Sequence, residues 1–135
     1  MAFNISKANA DERLRQKVKE LSGENFQKCY QCGTCSGSCP MSEHINVYPR
    51  RVMALLQLGD REALEKANTP WVCASCHMCM VRCPRGIDIT KVMESIRQLK
   101  LRKNIDQIEP EGIGKEEIEK LPQIAMVSGF RKLTS

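Results

Sequence analysis

The sequence predicts an all-α fold in a single domain, and three observations support this prediction. Segments 10–21 and 88–103 repeat apolar residues at helical spacing. The segment between two cysteine-rich runs, residues 40–72, is rich in Leu, Ala, Arg and Glu, which favour helix over strand. The length of 135 residues fits one compact domain with one or two tails and excludes a second full domain.

The first predicted element is an amphipathic helix over residues 10–21. Its apolar side chains recur at helical spacing, at Leu14, Val18 and Leu21. Gly23 lies just beyond them, and glycine is the residue type that most often ends a helix. We therefore expect one face of this helix to pack on the core.

Two further helices are predicted between the cysteine runs. The first covers residues 50–58 and stops at Gly59. The second is capped by Asp60, whose carboxylate can accept hydrogen bonds from the first turn, and it extends to about Ala67. Residues 68–71 follow as a turn that contains a proline.

The clearest helix covers residues 88–103 and follows the second cysteine run. Asp88 or Thr90 is its predicted cap. The residues that share its apolar face are Val92, Met93, Ile96 and Leu99. Beyond Asn104, prolines and glycines interrupt the apolar periodicity, so we expect no long element there and one short helix over residues 115–120.

The eight cysteines fall into two runs with the same spacing, CxxCxxCxxxCP. The runs contain Cys29, Cys32, Cys35 and Cys39, and then Cys73, Cys76, Cys79 and Cys83. This is the bacterial four-iron pattern, in which the fourth cysteine binds the neighbouring cluster. Three thiolates with two residues between each can surround three corners of one cubane, whereas the cysteine before proline points away from that loop. The spacing therefore predicts two [4Fe-4S] clusters.

The pattern also predicts a crossed set of ligands. One cluster is expected to be bound by Cys29, Cys32, Cys35 and Cys83. The other is expected to be bound by Cys73, Cys76, Cys79 and Cys39. A faint repeat accompanies the runs, because Val52 and Met53 follow the first as Val92 and Met93 follow the second. We therefore expect two cysteine loops, each leading to a helix, packed with approximate twofold symmetry around the clusters.

Other residues near the cysteines are expected to have ordinary structural roles. His77 lies between two predicted ligands, but the set of four is complete without it, so we expect an exposed or backbone-bonded histidine. Flexible thioethers suit the irregular space around a cubane. We therefore expect core positions for Met53, Met78, Met80 and Met93.

Other uses of the cysteines explain the pattern less well. Two zinc sites would need only paired CxxC units and would leave the third cysteine and the proline of each run unused. A disulfide scaffold is not expected in a reducing compartment. The formal charge of +5 falls to about +1 when each oxidised cluster with four thiolates contributes about −2. We expect no nucleic-acid binding, because the basic residues lack interleaved aromatic residues.

The sequence also predicts the compartment. Its N-terminus holds no apolar run of signal-peptide length. No stretch of about 18 apolar residues occurs in it, so we expect no membrane span. Together with clustered cysteines, these features lead us to expect a cytoplasmic protein.

Three segments carry a resemblance to a known family. CYQCGTCSGSCP at residues 29–40, LLQLGD at 55–60 and WVCASCHMCMVRCPRGIDITKVMESIRQL at 71–99 resemble the C subunit of heterodisulfide reductase, an α-helical ferredoxin. The resemblance covers residues 26–103. It implies a dicluster domain over that range. The residues outside it are expected to form an N-terminal helix in residues 1–25 and a tail over residues 104–135, which shows no match to the family and is expected to contact a partner.

The resemblance implies a relay with no catalytic residue of its own. In that family, the C subunit passes electrons between a flavin-bearing, multi-cluster A subunit and a catalytic, disulfide-reducing B subunit. We therefore expect A-like and B-like partners for this chain. Three alternatives remain open: a relay subunit of another anaerobic or sulfur-metabolising oxidoreductase, the iron-sulfur subunit of a succinate- or fumarate-type enzyme, which needs a further two-iron domain, and a structural zinc module without redox function.

Overall fold

The described residues fold almost entirely into helices. The computed structural model describes residues 10–135, apart from the side chain of Pro110. Within that range there is no β-strand, and one isolated β-bridge joins Ala10 to Asp60. Every helix described is too short or too polar to cross a lipid bilayer. The prediction of an all-α fold is confirmed.

The chain divides into two compact units, one ending at Ile96 and the other beginning at Arg97. The helices that begin in the first unit are α1 (Glu12–Ser22), α2 (Thr34–Gly37), α3 (Pro49–Leu58), α4 (Arg61–Glu65), α5 (Thr69–Val72), α6 (Met78–Val81) and α7 (Ile89–Leu101). Short 3-10 turns lie at Phe26–Lys28 and Ser42–His44. The division falls inside α7, whose last turn belongs to the second unit.

Helix α1 has the ends that the sequence predicts. The Oδ1 atom of Asp11 accepts a hydrogen bond of 2.9 Å from the Leu14 N–H, and Gly23 ends the helix in the left-handed conformation, at a φ of 69°. Leu14 and Val18 are buried, but Leu21 is only half-buried, so the predicted apolar face is narrower than expected. Residues 1–9 of the predicted N-terminal segment lie outside the described residues.

Helices α3 and α4 are joined by a tight turn that also holds the start of α1. Gly59 has a φ of 73°, and its carbonyl accepts a 2.9 Å hydrogen bond from the Asp11 N–H. The Oδ1 atom of Asp60 then caps α4 by accepting a 3.0 Å hydrogen bond from the Ala63 N–H. Helix α4 ends at Glu65, two residues before the predicted end.

The prediction of a turn over residues 68–71 is wrong, because this segment starts the short helix α5. Asn68 and Asn46 hold its beginning: each backbone N–H donates to the other's side-chain oxygen at 2.9 Å. Pro70 fits the first turn of a helix, where its missing N–H would have no intrahelical acceptor. Position within the helix therefore decides whether this proline breaks or starts a helix.

Helices α1, α3 and α7 each contribute buried side chains to the core of the first unit. Val52 and Met53 of α3 are fully buried, and their repeat counterparts Val92 and Met93 of α7 are at most 2% exposed. Asp88 is the cap of α7, since its Oδ1 atom accepts hydrogen bonds from the N–H groups of Thr90 and Lys91. The repeated apolar pairs thus form equivalent parts of one core.

The second unit extends from Arg97 to Ser135 and contains α8 (Lys115–Lys120) and α9 (Gln123–Leu133). Helix α8 is the short helix predicted from the sequence. The expectation of no long element beyond Asn104 is wrong, because α9 has 11 residues. Pro122 directly precedes α9, where proline marks a start and not a break. The end of α9 is held by the Gln107 N–H, which donates to the Leu133 carbonyl at 2.8 Å.

Candidate iron-sulfur centre

The two cysteine runs have the same backbone conformation, with equivalent residues 44 positions apart. Gln31 and Ser75 both have positive φ, at 63° and 53°. Gly33 and His77, two residues later, are also left-handed, at 85° and 59°. Each left-handed pair leads into a single helical turn, α2 in the first run and α6 in the second. The sequence repeat is therefore a structural repeat of two loops.

The first cavity is lined by cysteines from both runs. They are Cys29, Cys32, Cys35 and Cys83. Its free space is about 300 Å³, part of it open to solvent. All four thiols are free.

The second cavity has the reciprocal composition. The cysteines that line it are Cys39, Cys73, Cys76 and Cys79. None of the four forms a disulfide. The remaining wall is mostly apolar, with Pro49, Ile89 and Met93 among the lining residues. Four thiols around a space of about 450 Å³ match the ligand chemistry of a four-iron cluster.

The two cavities are neighbours. Ile89 lines both, and helix α2 of the first loop packs against α6 of the second. The thiols of Cys35 and Cys79 interact electrostatically, although each lines a different cavity. Groups bound in the two cavities would therefore lie close to each other.

Burial changes the acidity of one cysteine in each cavity. Burial, with a smaller contribution from neighbouring cysteine thiolates, raises the pKa of the Cys35 thiol to about 11. Burial also raises the pKa of Cys79. A hydrogen bond from the Thr34 hydroxyl lowers the pKa of the exposed Cys32 thiol. The buried thiolates therefore need a positively charged group, which the iron of a bound cluster supplies.

Each cavity has one hydroxyl group close to a cysteine sulfur. The Oγ1 atom of Thr34 lies 3.4 Å from the Sγ atom of Cys32. The Oγ1 atom of Thr90 lies 3.8 Å from the Sγ atom of Cys79. A thiolate can only accept a hydrogen bond, so both threonines would donate to ligand sulfurs. Such hydrogen bonds influence the reduction potential of a cluster.

Gln57 of α3 holds the segment that leads to Cys29. Its Nε2 group donates to the carbonyls of Cys29, at 2.8 Å, and Phe26, at 3.1 Å. Its backbone carbonyl accepts a 3.0 Å hydrogen bond from Arg15 of α1. Sequence reasoning missed this residue, since one glutamine in a helix has no distinctive spacing.

The residues beside the cysteines confirm some interpretations and correct others. His77 is 52% exposed, and its Nδ1 atom lies 3.7 Å from the Asp88 carboxylate, which agrees with a histidine that is not a ligand. The expected core position is found for Met53 and Met93. It is wrong for Met78 and Met80, which are 42% and 41% exposed, because the short helix α6 has a free outer face.

Comparisons with known proteins agree with this chemistry. Residues 28–88 match the family model described as a 4Fe-4S dicluster domain. The iron-sulfur C subunit of CoB–CoM heterodisulfide reductase from Methanopyrus kandleri is 42% identical over 96 residues, covering 68% of this chain and 50% of the relative. The chain is a homologue of the heterodisulfide reductase C subunit.

Two further relatives support this relationship. The C subunit of the H2:CoB-CoM heterodisulfide, ferredoxin reductase from Methanothermobacter marburgensis is 33% identical over 93 residues, covering 69% of this chain and 50% of the relative. The C subunit of the ferredoxin:CoB-CoM heterodisulfide reductase from Methanosarcina mazei is 37% identical over 87 residues, covering 64% of this chain and 53% of the relative. This C-subunit homologue thus spans about half the length of the curated relatives it matches.

The cofactor prediction is confirmed by the family match and by the eight cysteines, which form no disulfide. The C-subunit homologue has a dicluster domain and eight cysteines that fit two [4Fe-4S] clusters. Such clusters accept and release electrons, and the helical structure agrees with the α-helical ferredoxin fold expected from the sequence. The zinc sites considered from the cysteine spacing are not supported.

Proposed function

We propose that the chain relays electrons through two [4Fe-4S] clusters as one component of a heterodisulfide-reductase-like complex. The observation that carries this proposal is the pair of neighbouring cavities, each lined by four cysteines that form no disulfide. Adjacent one-electron centres suit a relay and do not suit bond-making chemistry. The chain's own residues bind and insulate the clusters.

The ligand sets that we propose are crossed between the two runs. The first cluster is bound by Cys29, Cys32, Cys35 and Cys83, and the second by Cys73, Cys76, Cys79 and Cys39. The lining of the two cavities supports this assignment, because each contains three cysteines of one run and the fourth of the other. Crossed ligation would fasten the two loops to each other.

The partners are proposed from the relatives. Their names describe components of heterodisulfide reductases, two of which also carry ferredoxin in the name. We propose that this chain passes electrons between an A-like partner, which bears flavin and iron-sulfur clusters, and a B-like partner, which reduces a disulfide. Electron transfer is then this chain's contribution to the complex.

The domain limits and the role of the tail are part of the same proposal. Residues 26–103 hold the clusters, and residues 104–135 contact a partner protein. Apolar side chains on the surface of α8 and α9 support a contact surface, since Ile124 is 71% and Val127 is 53% exposed. Exposed apolar residues that lie together are typical of protein interfaces.

Anaerobic purification tests the proposed function. The full chain should contain about eight irons and, once reduced, show two interacting paramagnetic centres in electron paramagnetic resonance. The A-like and B-like partners should co-purify with the wild type, and Ile124→Glu should weaken that association without loss of iron. An iron-free preparation, or association that is unaffected by Ile124→Glu, would contradict the corresponding part of the proposal.

Paired alanine variants test the crossed ligation by iron counting. If Cys32 and Cys83 bind the same cluster, Cys32→Ala with Cys83→Ala should still leave about four irons. The matched pair, Cys76→Ala with Cys83→Ala, should then lose both clusters, because the two cysteines serve different sites. The reverse result would show that each run binds its own cluster.

A further inference from the structure

The two loops repeat each other, but the charged residues beside them do not. Aligning the buried pairs of α3 and α7 makes Arg50 the counterpart of Thr90, both in the first turn of their helix. Aligning the cysteine runs makes Arg85 the counterpart of Met41. Arg50 lines the first cavity, and Arg85 directly follows two residues that line it, whereas Thr90 and Met41 both line the second cavity.

Arg50 lines the first cavity. Its side chain passes over Gly33, because a Cβ atom built on that glycine would lie 3.6 Å from the Cδ atom of Arg50 and 4.0 Å from a guanidinium nitrogen. The backbone N–H of Arg50 donates a 2.9 Å hydrogen bond to the Oγ atom of Ser36, which ties the start of α3 to the first loop. The guanidinium is therefore held beside this cavity.

Arg85 adds a second cation on the same side. It follows Cys83 and Pro84, which both line the first cavity. Its guanidinium carbon lies 5.1 Å from the ring centroid of Tyr30, the residue after Cys29. Its counterpart Met41 lines the second cavity and carries no charge.

The other polar groups nearly balance between the two cavities. Each has one threonine hydroxyl near a cysteine sulfur, at 3.4 Å for Thr34 and 3.8 Å for Thr90. At the start of α7, the Lys91 ammonium lies 3.7 Å from the Glu24 carboxylate and 4.0 Å from the Asp88 carboxylate, and none of these three residues lines either cavity. Among the described residues that line the second cavity, all side chains other than the cysteines are uncharged. Arg50, which lines the first cavity, and the nearby Arg85 are therefore the principal difference in charge between the two cavities.

We propose that Arg50 gives the cluster in the first cavity a higher reduction potential than the cluster in the second, so that the first electron entering the protein resides on the first cluster. This inference rests on the proposed function. Gaining one electron changes a four-thiolate site from a charge of about −2 to about −3. A fixed cation nearby stabilises the more negative state, and a neutral threonine at the equivalent position does not.

An anaerobic redox titration of the full chain, followed by electron paramagnetic resonance, tests this inference. Arg50→Gln should lower the higher of the two potentials and leave the lower one unchanged. We expect the reduced-to-oxidised ratio of that cluster, at a fixed potential, to fall about three- to tenfold, where tenfold corresponds to about 59 mV for one electron. Arg50→Lys keeps the charge and should retain most of the difference.

Salt dependence gives a second test on the unaltered protein. Arg50 is exposed, so its influence should weaken as the ionic strength rises and the two potentials should approach each other. Two potentials that do not respond to salt would contradict the inference, as would a shift of only the lower potential in Arg50→Gln. If Arg50→Gln keeps both clusters and both potentials, the inference fails while the proposed function stands. A wild-type chain without iron would instead refute the proposed function.

Discussion

Replacing Gly59 by alanine tests whether the turn between α3 and α4 is as tight as the structure indicates. Gly59 has a φ of 73°. A Cβ atom added to it would lie 2.8 Å from the backbone nitrogen and 3.2 Å from the carbonyl oxygen of Asp11. Because both neighbours are backbone atoms, no side-chain rotation can relieve the contact. Gly23 is the matched control, since its φ is 69° but nothing lies within 4 Å of its added Cβ.

The two variants share the conformational penalty and differ in the steric one. A left-handed conformation costs an alanine about 1 to 2 kcal/mol relative to glycine, so Gly23→Ala should lose about that much free energy of unfolding. Overpacking against a fixed backbone adds about 1 to 3 kcal/mol. Gly59→Ala should therefore lose about 2 to 5 kcal/mol and loosen the 2.9 Å hydrogen bond between the Asp11 N–H and the Gly59 carbonyl.

Thermal unfolding of the iron-loaded protein, followed by circular dichroism under anaerobic conditions, measures the difference. For a chain of this length, the extra loss corresponds to a melting temperature roughly 3 to 12 °C below that of Gly23→Ala. Equal iron content in both preparations ensures that the comparison concerns the turn. Equal melting temperatures for the two variants would show that Asp11 does not pack against Gly59 as described.

Two further predictions concern polar contacts of the first unit. The pKa of Asp11 lies below its ordinary value because its carboxylate accepts a hydrogen bond from the Leu14 N–H and pairs with Arg61. A carboxylate with a lowered pKa stabilises the folded state above about pH 4, and this stabilisation is lost in more acidic solution. Asp11→Ala should therefore lose about 1 kcal/mol of free energy of unfolding at neutral pH. Urea unfolding should show that the difference in free energy between the variant and the wild type becomes smaller below pH 4. A difference that grows there would contradict this prediction. Gln57→Leu removes the donor to the Cys29 carbonyl, while the Phe26 carbonyl keeps the Cys29 N–H at 3.1 Å. The variant should lose about 1 to 3 kcal/mol of free energy of unfolding and release iron to a chelator faster, whereas Gln16→Leu, at an exposed site, should leave that rate unchanged.

The parts of the fold that sequence predicts well are those with local signals. Gly23 and Gly59 end their helices because glycine adopts the left-handed conformation readily. Asp60 and Asp88 cap α4 and α7 because a short carboxylate reaches the free N–H groups of the first turn. Such helix ends depend on only a few neighbouring residues, so they can be predicted without knowledge of the tertiary structure.

The parts that sequence predicts poorly depend on context. Pro122 predicts a break when only its residue type is considered, but the same residue fits the start of α9. Met78 is apolar and predicts a core position, yet it lines the second cavity and stays 42% exposed. The left-handed conformation of Gln31 could not be predicted, because glutamine has no preference for it.

The candidate site shows the same division. Regular spacing identifies all eight cysteines, and the fourth cysteine before proline predicts the crossing. Gln57 and Arg50 are absent from that prediction because each reaches a cysteine loop from a different part of the chain. Tertiary structure alone brings such residues together.

The left-handed residues of the two cysteine loops have an energetic consequence for the protein without iron. Gln31, Ser75 and His77 carry side chains in a conformation that costs on the order of 1 kcal/mol each. Bonds from the flanking cysteines to a bound cubane would add to the protein contacts that hold these conformations, so we expect both loops to relax on demetallation while the capped helices persist. The iron of a bound cluster would thus stabilise the two cysteine loops in addition to carrying electrons.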